Sequence, residues 1–438
     1  EALMNATNPS TNGSRSNGIS GSGSGSNKSS SIDGPRVLVV GPADCGKTSL
    51  VKLLTSYAVK LGRTPMLVDL DTSQNMLSAP GTIAASPMTP DSISPLTNAS
   101  SSSLFSTTTP LVLWNGSTEL SSNPDLYKAQ LDKIGQCIDE RNNTSTDTST
   151  DATASNAEEE SRIIDSRSSG IIVNGCGWIE DIGYTLMLHT VKALRINVIL
   201  VMGHDRLYSM LNSHFNKMRD TDVSMDGSGS GSGSSDIIPK VIKLPRSGGV
   251  VSRDSTFRRV ARSLCIKRYF YGESIRNPNA PVASSATGAG MLFQGAGSNA
   301  NGAGIQDTIC PPSSTLVHQY TPTRLEIPFG DLTLYKLSSV SLSASMLPVS
   351  AKQATDPVQL TPVEITSTLK HGVLAVCHPN AAEKFRDSGE ARDLYLAGVS
   401  GLVTVEKVDV DREIISLLSP GGSLPSSILL VGDITWME

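Results

Sequence analysis

Between the apolar run Arg36-Val-Leu-Val-Val40 and a helical pattern that opens at Thr48 lies Gly41-Pro-Ala-Asp-Cys-Gly-Lys-Thr48. This is G-x-x-x-x-G-K-[ST] in the strand–loop–helix setting that gives the pattern its meaning. Such a loop wraps backbone N–H groups around phosphate oxygens, and the helix it opens adds the partial positive charge of its N-terminus. Gly41 and Gly46 allow backbone geometry that a side chain would block. Lys47 can reach the β- and γ-phosphates, and Thr48 can place its hydroxyl on Mg²⁺. The candidate ATP-binding set is Gly41, Asp44, Cys45, Gly46, Lys47, Thr48 and Ser49. Cys45 reads as a loop filler, because no His lies nearby in sequence to activate it.

The strand before this loop is apolar almost throughout, as strands buried on both faces of a parallel sheet are. Helical spacing over Thr48–Leu61 follows, ended by Gly62. Further strands are expected at Pro65–Leu70, Gly170–Asn174, Asn197–Met202 and Lys240–Leu244. Helices are expected at Leu126–Ile138, Tyr184–Leu194 and Arg206–Phe215. Alternation of this kind implies right-handed crossovers and an α/β fold, a doubly wound parallel sheet of the P-loop NTPase type.

Composition explains why these elements are so widely spaced. Only 18% of the 438 residues are charged and 38% hydrophobic, against roughly 25% charged in an average domain. Ser, Thr, Gly and Asn tracts make up the difference, and such tracts bury too little apolar surface to offset the entropy of ordering. The expected layout is a linker over 1–32 and a P-loop domain over 33–274. Inserts fall near 86–109, 142–169 and 221–236 of that domain. A second linker covers 275–307, and a small β-rich domain covers 308–438. Asp331–Tyr335, Gly372–Val376, Ala397–Val405, Ile414–Leu418 and Ile428–Val431 supply the strands of that last domain.

Several classes are excluded by the same reading. No apolar run approaches the roughly 20 residues that span a bilayer, so no membrane partner is expected. No secretory signal opens the chain. Six scattered cysteines without a CxxC pair point to reduced thiols in the cytosol or nucleus and to no structural zinc. The net charge of -5 argues against an overall basic coat but not against a local basic groove. No N-K-x-D segment follows the fourth strand, where Gly203-His-Asp205 stands, and this disfavours a regulatory GTPase.

Three more segments carry candidate chemistry. Asp69-Leu-Asp-Thr-Ser-Gln74 ends the second strand, at the edge where open α/β sheets hold ligands. Asp71 could hold a Mg²⁺-bound water or accept a proton from an attacking hydroxyl, and Gln74 could orient a phosphate or the nucleophile. The bland alternative is a polar strand end capping a turn. Arg246-Ser-Gly-Gly-Val-Val-Ser-Arg253 has the paired glycines of a lid. Arg258 or Arg259 could neutralise charge at a transferring phosphoryl group, or simply line a solvated helix face. Trp178, after the third strand, stands where a base could stack, or it belongs to the core.

Together these blocks resemble the polyribonucleotide 5′-hydroxyl kinase family, whose members include the pre-mRNA cleavage complex II subunit. The likeness runs through Gly34–Thr48, Tyr57–Pro65, Asp69–Gln74, Ala79–Thr82, Gly175–Trp178, Asp205–Tyr208, Leu244–Val251, Phe257–Arg259 and Tyr269–Gly272. It returns in Gly398–Trp436. It implies an ATP-binding nuclear protein of pre-mRNA 3′-end cleavage and polyadenylation, docked on a scaffold subunit of the cleavage factor and facing RNA. On this mapping Lys47 and Thr48 hold ATP–Mg²⁺, and Asp71 serves the attacking hydroxyl or the metal. Trp178 clasps a base, and Arg253, Arg258 and Arg259 belong to the lid. Active members transfer the ATP γ-phosphate to an RNA 5′-hydroxyl, whereas others keep ATP as a structural ligand. The family's β-rich N-terminal domain, which covers the adenine, is expected to be missing here, with Glu1–Met4 the stub of its connecting segment. The resemblance also implies Thr where Gly175 stands and Gly where Ser73 stands. These departures favour an ATP-bound assembly subunit, with an active RNA 5′-hydroxyl kinase as the alternative.

Overall fold

The computed structural model describes residues 33–90, 109–143, 167–224, 238–272, 274–276, 316–318, 320–339 and 358–437. The tracts Ser10–Ser31, Gly227–Ser235 and Ala283–Gly304 lie outside the described residues. Two seven-stranded sheets organise the chain.

The first sheet contains β1 (Arg36–Val40), β2 (Met66–Asp69), β3 (Thr82–Pro87), β4 (Leu111–Trp114), β5 (Ile171–Asn174), β6 (Val198–Met202) and β7 (Lys240–Leu244). Their order is β4-β3-β2-β5-β1-β6-β7. The five expected strands are its parallel part, with β1 paired to β5 on one side and β6 on the other. β3 and β4 add an antiparallel edge that sequence patterning misses. Along β1 the side chains alternate between two cores, as the two-residue strand period requires. Leu38 and Val40 join the core beneath α2 (Pro124–Asn143), α3 (Ile182–Ala193) and α4 (Asp205–Ser224). Val37 and Val39 join the core beneath α1 (Lys47–Lys60). Helices therefore cover both faces, as the doubly wound reading expects.

The inserts begin and end differently from expectation. Ser86 and Pro87, assigned above to an insert, are the last residues of β3. They pair with Leu67 and Met66 of β2, and Ser86 is fully buried. A polar composition concealed a strand whose burial comes from its sheet partner. Helix α2 continues to Asn143 and α4 to Ser224, past the expected insert starts, and residues 167–169 are helical.

The second sheet contains β10 (Thr323–Pro328), β11 (Thr333–Ser339), β12 (Val358–Val363), β13 (Gly372–Cys377), β14 (Val399–Asp409), β15 (Ile414–Ser419) and β16 (Ile428–Thr435), in the order β10-β15-β14-β13-β16-β11-β12. Only the β11–β16 pairing is parallel. Two helices, α6 (Pro379–Ser388) and α7 (Arg392–Tyr395), interrupt it. A short ribbon pairs β8 (Ser274–Arg276) with β9 (Leu316–His318).

The sheets meet where glycines let backbones touch. Asp433 N donates to Gly116 O at 2.7 Å, and Gly116 N donates to Gly81 O at 3.0 Å. A Cβ on Gly432 would stand 2.3 Å from Gly116 O and 2.7 Å from the Trp114 ring. Ile434, Trp114 and Ala79 fill one cluster across this joint. Helix α5 (Ser255–Tyr271), which follows β7 in the chain, also buries its apolar side chains in that cluster.

Overpacking a tight contact costs about 1–3 kcal/mol. Gly432→Ala is therefore expected to lower the melting temperature by several degrees in a thermal unfolding scan. An unchanged melting temperature would contradict the close approach at the joint.

Candidate functional site: a phosphate loop and its arginine lid

The P-loop leaves the carboxyl end of β1 between the ends of β5 and β6. Gly41 has φ 153° and Gly46 has φ 95°, in the left-handed region. A Cβ on Gly41 would lie 2.6 Å from Met202 O and 2.9 Å from Cys45 Sγ, so the turn has no room for a side chain. Lys47 is 7% exposed and donates from Nζ to Pro42 O at 2.9 Å, folded over the loop. Thr48 is half-buried and Ser49 exposed at the first turn of α1. The Cys45 side chain is buried in the core under α1, which agrees with its reading as filler.

The loop after β5 reaches the P-loop. A Cβ on Gly177 would lie 3.3 Å from Ala43 N. Cys176 sits between opposite charges. Burial pushes its thiol up to about 11, a backbone hydrogen bond at Trp178 opposes the rise, Asp71 adds to it and Lys47 opposes it. Trp178 is half-buried and packs against the core, with the first turn of α3 at Gly183 pressed on it. One portion of the ring is therefore core and the remainder open.

Asp69 and Asp71 divide the work of their segment. Asp69 is fully buried at the end of β2. Burial pushes its carboxyl up to about 7 and Asp71 adds to the rise, while bonds from Met76 N, Asn174 Nδ2 and Asp71 N oppose it. Asp69 thus ties the turn after β2 to the end of β5. Asp71 is half-buried beside it, and its Oδ1 accepts from Ser73 N at 2.9 Å and from Ser73 Oγ at 2.7 Å. Gln74 is half-buried in the same turn. A hydroxyl and a carboxylate, Thr48 and Asp71, are the oxygen donors that suit Mg²⁺.

The lid closes through a P-loop carboxylate. Asp44 Oδ2 accepts from Arg253 N at 2.9 Å and from Arg258 Nη2 at 2.7 Å. Burial would raise the Asp44 carboxyl, but these bonds and charges hold it below its usual value. Asp254 caps α5 by accepting from Phe257 N at 2.7 Å, and the Arg253 guanidinium lies 5.2 Å from the centroid of the Phe257 ring. Val250 meets the Gly46 backbone, where an added Cβ would be 3.3 Å away. Arg259, the next helical position after Arg258, is exposed and turned from this contact. Among the expected residues, the structure brings Asp44, Arg253 and Arg258 together. Sequence reading gave Arg258 to a phosphoryl group; here the nearer anion is Asp44. Asn174 and the structural use of Asp69 were missed. The signal for Asn174 was a polar residue closing a four-residue buried strand.

A glycine-cradled loop at the end of a central parallel strand, an acid after β2, one strand removed across β5, and an arginine lid define a P-loop protein of the kinase-like class. Two family models match the chain: the mRNA cleavage and polyadenylation factor CLP1 P-loop over residues 41–226, and the pre-mRNA cleavage complex II protein Clp1 over residues 320–438. The chain belongs to the Clp1 family. It is similar to a CLP1 homolog of Dictyostelium discoideum, at 30% identity over 92% of this chain and 68% of that protein. It is also similar to polyribonucleotide 5′-hydroxyl-kinase Clp1 of Danio rerio, at 29% identity over 92% and 71%. A solved wild-type Clp1p–Pcf11p (454–563) complex shares the fold, with a TM-score of 0.60, 22% identity, and coverage of 94% of this chain and 76% of that one. Membership makes the chain a cleavage and polyadenylation factor subunit with a P-loop kinase-like domain.

Part-exposed ion pairs contribute about 1 kcal/mol or less. Arg258→Ala should therefore lower stability by about that amount at neutral pH. Because the folded Asp44 carboxyl lies below its unfolded value, the pair stabilises above that unfolded value and is lost as pH falls through the lowered one. Melting curves of wild type and Arg258→Ala should stay apart above about pH 4 and converge only as pH falls through the lowered value of the folded Asp44 carboxyl. A gap that persists in acid would place the effect elsewhere.

Proposed function

We propose that this chain is the ATP-binding subunit of the nuclear machinery for mRNA 3′-end cleavage and polyadenylation. It docks on a scaffold subunit of the cleavage factor, faces RNA, and holds ATP with Mg²⁺ without turning it over. The single observation carrying the ATP reading is the glycine cradle of Gly41–Thr48 held shut from above by Arg253 and Arg258 on Asp44. ATP would bring to this site a triphosphate whose charge Mg²⁺ partly neutralises. The chain's own part is positional. Gly41 and Gly46 make room for phosphate oxygens, and Lys47 turns from Pro42 O to a phosphate. Thr48 and Asp71 offer oxygens to the metal. Arg253 and Arg258 keep water out by holding the lid.

Retention without transfer is favoured by Ser73. Its amide and its hydroxyl both bind Asp71 Oδ1, so one of the two carboxylate oxygens is already engaged and the carboxylate is held in one orientation. Gly175 removes the hydroxyl that the family resemblance implies beside it. The kinase reading rests on the presence of Asp71, Gln74, Trp178 and the lid arginines in this chain. The Danio rerio relative's designation as a kinase makes that alternative worth testing directly.

Purified full-length protein is expected to carry ATP detectable by mass spectrometry. It is expected to show no transfer from γ-labelled ATP to 5′-hydroxyl RNA beside an active homologue. Label transfer would establish the kinase instead. Lys47→Ala should weaken ATP binding at least tenfold, about 1.4 kcal/mol, and unchanged affinity by calorimetry would contradict the phosphate-site assignment.

A further inference from the structure

We propose that the C-terminal β domain positions the arginine lid. Tyr269 and Trp436 act, through α5, as positioning residues for the nucleotide at the P-loop. The inference rests on the ATP-binding reading and adds what sets the lid's place.

Three contacts along one helix carry it. At the start of α5, Arg258 donates to Asp44 of the P-loop at 2.7 Å, and Asp254 caps the first turn. In its middle, Cys265 Sγ donates to Ser78 O at 3.6 Å, on the segment that continues from Asp71 and Gln74. At its end, Phe270 stacks on Trp436 with ring centroids 5.5 Å apart and planes 13° apart. Beside that stack the Tyr269 hydroxyl accepts from Leu402 N of β14 at 2.9 Å. The two ends differ in how firmly they are held. Among the described residues, the buried side chains of α5 are Ile266 and Phe270, both toward the C-terminal end. The lid side is open: residues 251–255 are exposed, and added Cβ atoms on Gly248 and Gly249 would meet nothing within 4 Å.

The helix is therefore anchored by buried side chains in the second sheet, while its exposed start is held to the first through Asp44. Helical rise puts Arg258 about 18 Å from Phe270. Intact backbone hydrogen bonds make such a segment a stiff lever, so the seat of Phe270 and Tyr269 fixes where Arg258 stands. Loosening the seat lets Arg258 leave Asp44, and the lid then opens more often. Coupling between the two ends runs both ways, since an equilibrium that ATP shifts at the lid is felt equally at the seat.

The test uses the full chain and Mg²⁺-ATP, with ATP release and amide hydrogen exchange over 247–258 as readouts. Tyr269→Phe removes only the hydroxyl, and Trp436→Ala removes the stack. Both should speed ATP release, Trp436→Ala by roughly fivefold or more, and both should raise exchange in the lid. Trp436→Phe, which keeps a stacking ring, should restore a rate near wild type. In an Arg258→Ala background Trp436→Ala should add little, because the lever then ends on nothing. Wild-type rates and unchanged lid exchange in Tyr269→Phe and Trp436→Ala would overturn the inference. So would effects of Trp436→Ala and Arg258→Ala that multiply as independent changes do. If Trp436→Ala does not fold, Tyr269→Phe decides. If wild type holds no ATP, the ATP reading fails by itself, and lid exchange still reports whether α5 is a lever.

Discussion

The site depends on β1 being unable to move. Its neighbours on both sides are parallel strands, and Val37, Leu38, Val39 and Val40 are each at most 1% exposed. Side chains buried on both faces leave the strand no direction in which to relax, since interiors are packed as tightly as organic crystals. The loop that follows inherits this rigidity. Met202 O of β6 closes on Gly41 from one side, and Gly175 N, just after β5, donates to Val39 O from the other. A phosphate cradle needs its N–H groups fixed before the ligand arrives, because ordering them on binding would cost affinity.

The second sheet bears on this cradle without entering it. Gly81, Gly116 and Gly432 allow main chain to meet main chain, so the joint is set by backbone rather than by adaptable side chains. Helix α5 follows β7 of the first sheet in the chain, yet its apolar face lies in the core of the second. A boundary drawn along the sequence near 274 therefore cuts through a unit that packing joins. The segment carrying Asp71 is held from both directions, by Asp69 inside the first sheet and by the Ser78 contact to α5.

What could be read from the sequence followed from local signals. The five parallel strands were visible because strands buried on two faces are apolar in every position. The P-loop was visible because its glycines and lysine stand at fixed spacing within a few residues. Strand β3 was hidden, since Thr82, Ser86 and Pro87 look like a turn until β4 pairs with the first and β2 with the other two. Arg258 and Arg259 could not be told apart by composition; only the direction of α5 decides that Arg258 meets Asp44 and Arg259 meets solvent. The role of Asp69 was equally hidden, because its three donors come from Asp71, Met76 and the distant Asn174.

Gly175 and Ser73 follow the ends of the paired strands β5 and β2. A Cβ at Gly175 would stand 2.7 Å from Val39 O. The glycine therefore does more than omit a hydroxyl: it goes with strand ends too close for a β-branched residue, and restoring Thr would first have to part β5 from β1. Beneath Gly175 lies a small cavity lined by Leu38, Leu70, Tyr127 and Cys176, beside the turn that carries Asp71. Across that turn Ser73 supplies the hydroxyl that Gly175 lacks, but bonded to Asp71 itself. A donor fixed two residues away holds the carboxylate in one orientation.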